Sequence, residues 1–165
     1  MNLKLNSPSA DKTFDIGSQL GRQLKGNELI LLVGDLGAGK TLIAKGIASS
    51  LGIDSRDIVS PTFTLMNQFE YPFRPKNNSN GSTAYFIHFD CYRFADQSGK
   101  EKQTRNQGLI VPEIDEWIDE AIVAVEWAQY LHSSYFTLPR SIRIFMEAET
   151  QQTRSITIES ELDYL

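Results

Sequence analysis

Gly34-Asp35-Leu36-Gly37-Ala38-Gly39-Lys40-Thr41 fits GxxxxGK[ST] without a gap, and the residues on either side place it where such a loop belongs. Before it, residues 28–33 form a continuous apolar run bounded by glycines, which reads as a strand buried on both faces, like the central strands of a parallel sheet. After it, Ile43, Ile47 and Leu51 share one helical face, and Gly52 ends that helix. Glycine lets the backbone wrap closely enough for successive N–H groups and the positive helix end to point at phosphate oxygens. Lys40 then adds a point charge at the β and γ phosphates, and the Thr41 hydroxyl opens the helix where a Mg²⁺ ion is held. The expected ligand is ATP with Mg²⁺, bound by Asp35, Leu36, Gly37, Ala38, Gly39, Lys40 and Thr41. The plainer alternative is a glycine-rich turn with no ligand.

Outward from the loop, residues 2–6 alternate polar and apolar as a short strand, broken by Ser7 and Pro8. Ile16, Leu20 and Leu24 recur every four residues and predict a helix over 11–24, stopped by Gly26 and Asn27. Strand patterns follow at 62–69 and 84–89, expected to pair, and again at 122–125, 141–147 and 154–160. Residues 72–82, rich in Pro, Asn, Ser and Gly, and the polar stretch 96–107 read as exposed loops. Ile114, Trp117, Ile118 and Ala121 recur at i, i+3, i+4 and i+7 and predict an amphipathic helix, made strongly acidic by Asp115, Glu116, Asp119 and Glu120. Helices interleaved with strands early and strands alone late predict an α/β fold, a P-loop NTPase-type three-layer sandwich around a central mixed β-sheet.

A chain of 165 residues with 41% hydrophobic content is long enough for one core, so residues 1–165 are expected to form a single domain. The net charge of −5 and pI of about 5.0 argue against a protein that coats nucleic acid phosphates unaided, so a nucleic acid partner would be shared with another protein. The single cysteine, Cys91, leaves no internal disulfide and no zinc cluster, which suits a reducing, cytoplasmic setting. No apolar run is long enough to span a bilayer, so no membrane association is expected.

A P-loop enzyme needs a carboxylate near its metal, and two strand ends supply one. Asp90 closes the aromatic-rich stretch Tyr85-Phe86-Ile87-His88-Phe89, and Glu126 closes the aliphatic stretch Ile122-Val123-Ala124-Val125. Either would land at the carboxyl edge of a parallel sheet beside the loop, one to hold Mg²⁺ and the other to orient the attacking water. Ordinary strand ends meeting water are the bland reading. His88 reads as a core residue rather than a proton shuttle. Arg93 is read equally as an arginine finger or as the partner of a nearby carboxylate.

Ordered blocks beyond the loop resemble the TsaE family of bacterial ATPases: Asp11-Lys12-Thr13, the P-loop, Ser60-Pro61-Thr62-Phe63-Thr64-Leu65, His88-Phe89-Asp90-Cys91-Tyr92-Arg93 and Val125-Glu126-Trp127, with a weaker echo at Arg154 in the tail. The resemblance implies ATP hydrolysis that supports turnover of the transferase complex of the TsaD and TsaB proteins. That complex forms N6-threonylcarbamoyladenosine at position 37 of tRNA, and the TsaE-like protein meets the tRNA only indirectly. It also implies that Thr62 lies on a switch-like segment near the γ-phosphate and that Glu126 ligates the metal. Asp90 would position water, Trp127 would pack near the nucleotide, and Thr13 would lie toward the adenine. Two features depart from the family pattern: Ala128-Gln129 where proline and glutamate commonly follow the EW pair, and the length of the stretches 72–82 and 96–107.

Two rival readings carry features of their own. A small-molecule kinase would need an arginine-rich lid, and the stretch 96–107 holds Arg105 and two lysines without order. A regulatory GTPase would use Asp96-Gln97-Ser98-Gly99 as DxxG, but that match lies in a polar loop and no NKxD string reads guanine.

Overall fold

The computed structural model describes residues 1–73, 82–94 and 108–163. The first half of the chain forms β1 (Asn2–Ser7), α1 (Ala10–Gly21), β2 (Leu29–Gly34), α2 (Lys40–Ser50), β3 (Met66–Phe73) and β4 (Ser82–Asp90). The second half forms α3 (Pro112–Trp117), β5 (Ala121–Glu126), β6 (Ser141–Ala148) and β7 (Arg154–Ser160). The strands make one seven-stranded sheet of order β1-β7-β6-β2-β5-β4-β3. Neighbours are parallel from β6 through β2 and β5 to β4, and the outer strands β1, β7 and β3 join antiparallel, so the sheet is mixed.

Strand parity sorts the apolar side chains into two layers. Ile30, Leu32, Phe86, Ala124, Ile144 and Ile156 face α1 and α2, while Leu29, Leu31, Ile87, Phe89, Val123 and Val125 face α3 and the short 3₁₀ turns after β5. This is why β2 has no polar alternation: both its faces are covered. Helices α1 and α2 cross at near backbone contact, since a Cβ at Gly46 would lie 2.1 Å from the Phe14 carbonyl oxygen and one at Gly17 would lie 2.4 Å from that of Ile43. The crossing fixes where α2 begins, and the P-loop runs from β2 into that point.

Several boundaries differ from the sequence pattern. Helix α1 stops at Gly21 rather than Leu24, where tight turns take over: Gln23 N–H donates to Leu20 O at 2.9 Å and Leu24 N–H to Gly21 O at 3.3 Å. The buried Glu28 carboxylate then accepts from the N–H groups of Lys25, Gly26 and Asn27 and holds the chain in the turn. The strand expected over 62–69 starts only at Met66, because Ser60 and Thr62 bond Asp90 and the Leu65 N–H closes a loop onto Pro61 O at 2.7 Å. Helix α3 ends at Trp117, and Ala121 leaves the expected helical stripe to pair with Tyr85 in the sheet. Of the loop expected over 72–82, Pro72 and Phe73 lie in β3 and Ser82 in β4. The remainder, like the stretch 96–107 with its DxxG match, falls outside the described residues.

Candidate functional site

The side chains singled out around the loop share one side of the sheet. His88 and Asp90 follow the parity of Phe86, and Glu126 follows that of Ile122 and Ala124, so all three point toward the layer in which α2 starts. Asp90 and Glu126 stand opposite each other in the β4–β5 register. The loop between Gly34 and Lys40 leaves Asp35, Leu36 and Gly37 exposed, while Ala38 and Lys40 are buried. Gly39 caps α2 with φ of 100°, a left-handed conformation that favours glycine, and no side chain competes for the free helix N–H groups.

Lys40 bridges the loop. Its ammonium donates to Gly34 O at 2.7 Å and Asp35 O at 2.8 Å and lies 3.7 Å from the Trp127 ring centroid. Burial pushes its pKa below the ordinary lysine value, against the opposing pull of Glu126, Asp90 and Asp35. Trp127 reaches this position because it leaves β5 in the left-handed region, with φ of 58°, and its ring packs against Tyr92 at 4.8 Å. A tryptophan in that conformation is strained, as residues at functional sites often are.

Glu126 is held at both carboxylate oxygens: Oε2 accepts from the Thr41 hydroxyl at 3.0 Å, and Oε1 lies 2.9 Å from His88 Nε2. Thr41 and Glu126 therefore present hard oxygen donors side by side at the first turn of α2. That donor set fits Mg²⁺, which uses one or two protein oxygens and takes the rest of its shell from phosphates and water. Asp90 is held differently. Its Oδ2 accepts from Ser60 Oγ and from Thr62 Oγ1 at 2.7 Å, and its Oδ1 accepts from the Tyr92 N–H at 2.8 Å. Arg93 donates to the carbonyls of Thr62 and Phe63, so it secures the same turn.

The structure thus brings together Lys40, Thr41, Glu126 and Trp127, with Asp90 and Thr62 as an adjoining pair. Thr13 is not bonded to this group: its buried hydroxyl lies 2.8 Å from Ser7 Oγ and donates to Ser9 O at 3.1 Å. Sequence reasoning passes over Ser60, and it reads His88 as core without its bond to Glu126. It also gives no role to Gln129, whose Nε2 donates to Gly34 O at 3.4 Å. For His88 a signal exists, since His88 and Asp90 are two apart on a strand and must share a face.

Residues 7–156 match the model of the family described as threonylcarbamoyl adenosine biosynthesis protein TsaE. The chain belongs to the TsaE family. Among its relatives, the tRNA threonylcarbamoyladenosine biosynthesis protein TsaE of Mycobacterium bovis is 36% identical over 124 residues, covering 75% of this chain and 67% of that protein. The protein of the same name from Aquifex aeolicus is 36% identical, with 73% of each chain covered, and that from Bacillus subtilis is 32% identical, covering 73% of this chain and 71% of the relative. The crystal structure of Bacillus subtilis YdiB superposes with a TM-score of 0.66 at 24% identity, over 99% of this chain and 89% of that one, a likeness of fold.

Proposed function

We propose that this TsaE-family chain binds ATP with Mg²⁺ at the loop of residues 34–41 and hydrolyses it in support of tRNA N6-threonylcarbamoyladenosine formation. The observation that carries the site chemistry is the chain of bonds from Thr41 through Glu126 to His88 at the start of α2. In P-loop enzymes the loop hydroxyl and a strand-end carboxylate hold the metal together, and here the two are already in contact. The names of the relatives support the role in tRNA modification.

In this reading the loop N–H groups and Lys40 take the phosphates, with Trp127 packed over the ammonium to limit access of water. Thr41 and Glu126 hold Mg²⁺, which when bound neutralises charge developing on the phosphate oxygens. His88 keeps the Glu126 carboxylate turned toward Thr41. Asp90, ordered by Ser60, Thr62 and the Tyr92 N–H, receives the attacking water near the γ-phosphate. Thr62 is then the group whose position reports what occupies the site.

The partners on this reading are the TsaD and TsaB proteins, whose complex transfers the threonylcarbamoyl group, with tRNA contacted only through them. Phosphate release from ATP is expected to be slow for the chain alone, to rise when TsaD and TsaB are added, and to vanish in Lys40→Ala. Failure to capture TsaD and TsaB with or without ATP would overturn the partner claim. Stoichiometric ADP formation with a phosphorylated metabolite would overturn the ATPase claim in favour of a kinase.

A further inference from the structure

Gln129 stands where glutamate commonly follows in the family pattern, and it is bonded to the loop. Strand β5 lies parallel beside β2, with Leu32 opposite Glu126, so the chain leaving β5 passes next to the first residue of the loop. There the turn Ala128–Tyr130 is closed by the Tyr130 N–H on Trp127 O at 3.1 Å and by the Leu131 N–H on Ala128 O at 2.9 Å. Ala128 is turned fully into the core, which leaves the next side chain, Gln129, outside and exposed. Its Nε2 donates to Gly34 O at 3.4 Å, its one side-chain bond among the described residues.

The Gly34 carbonyl accepts twice. Lys40 Nζ takes one lone pair at 2.7 Å, and the Gln129 amide takes the other. Only a donor suits that second position: an amide offers N–H, whereas an ionised carboxylate accepts only and would meet the carbonyl oxygen with like charge. The ammonium that shares this carbonyl already has Glu126, Asp90 and Asp35 around it. Position 129 is two hydrogen bonds from that ammonium, near enough for a charge there to act on whatever the ammonium holds. A fourth acid would lower the positive potential on which phosphate binding depends.

We propose that Gln129 is an affinity-determining residue for ATP: its neutral amide satisfies the Gly34 carbonyl and keeps the mouth of the loop free of a fourth negative charge. This rests on the P-loop reading above. An amide in place of the family's common acid strengthens nucleotide binding in this chain. It does so chiefly through charge, since the amide bond itself is long and exposed and contributes little. Gln129 acts from outside the phosphate-binding groups, through the field at Lys40, and not as a contact to the nucleotide.

The test is equilibrium binding of ATP with Mg²⁺ to the wild-type chain, Gln129→Glu and Gln129→Ala at low and high salt. Urea midpoints are measured alongside and should agree among the three, because the side chain is exposed. Relative to wild type, Gln129→Glu is expected to bind ATP about tenfold more weakly at low ionic strength. Most of that deficit should disappear at about 1 M salt, where screening acts within ~3 Å. Gln129→Ala loses the bond but adds no charge, and is expected to stay within about threefold of wild type at both salts. Wild-type affinity in Gln129→Glu at low salt would overturn the proposal. So would a deficit in that variant unchanged by salt, or an equal deficit in Gln129→Ala, since either would make shape rather than charge the cause. Wild-type chain that binds no ATP at either salt overturns the P-loop reading itself, an outcome distinct from normal wild-type binding with an indifferent Gln129→Glu.

Discussion

Glu126 and Asp90 are both strand-end carboxylates, yet their partners differ, and so should the consequences of changing them. Glu126→Gln removes charge where Thr41 and the metal meet, and should abolish the Mg²⁺-dependent part of ATP binding. Asp90→Asn leaves the loop intact and should slow hydrolysis by about a hundredfold with binding little changed, as expected for loss of a group that aids proton transfer. Titration of ATP at high and chelated Mg²⁺, beside single-turnover phosphate release, separates the two; equal loss of binding in both variants would reverse the assignment. His88→Ala leaves Glu126 Oε1 buried without its partner and should cost about 2 kcal/mol in urea unfolding. The carboxylates are legible because an acid that closes an apolar run marks the edge of a sheet. The bond between His88 and Glu126 is not, because it depends on the parallel register of β4 against β5, which no local pattern encodes.

At the scale of elements, the loop is built by what its neighbours permit. Gly46→Ala would drive a methyl group into the Phe14 carbonyl and force α1 and α2 apart, with an expected cost of about 2 kcal/mol in thermal or urea unfolding. Gly39→Ala adds the strain of a left-handed residue to a collision with Arg154, and should lower nucleotide affinity more than it lowers the unfolding midpoint. The elements around the loop are legible from period and glycine placement. The misplaced boundaries at residues 62–65 and at Ala121 lie where an interaction distant in sequence overrides local propensity, whereas the one at Leu24 follows from local turn bonds closed by Glu28. Asp90 pulls Thr62 out of the expected strand, and Tyr85 draws Ala121 out of the expected helix.

Across the whole molecule, the layered α/β architecture follows from the doubly buried β2 and from the alternation of elements, but the order of strands does not. Placing β7 between β1 and β6 brings Arg154 to the P-loop from the far end of the chain. Both core layers also carry a buried acid in its neutral form. Burial pushes the Cys91 thiol and the Tyr71 and Tyr135 phenols up to about 12. Their folded values lie above the ordinary ones, so the folded chain keeps protons that the unfolded chain sheds, and stability present below about pH 9 is lost as the pH rises toward about 12. Lys40, pushed down by burial, acts in the opposite sense. The urea midpoint should fall through this range together with the rise of tyrosinate absorbance, and a flat midpoint would contradict the burial of these groups. The central claim is that residues 34–41 bind ATP with a metal held by Thr41 and Glu126. Calorimetric titration of the purified chain with ATP, with Mg²⁺ present and then chelated, tests it most directly: saturable binding is expected, tightened by Mg²⁺ in the wild-type chain and not in Glu126→Gln. Absence of saturable binding, or a Mg²⁺ effect that survives in Glu126→Gln, would contradict it.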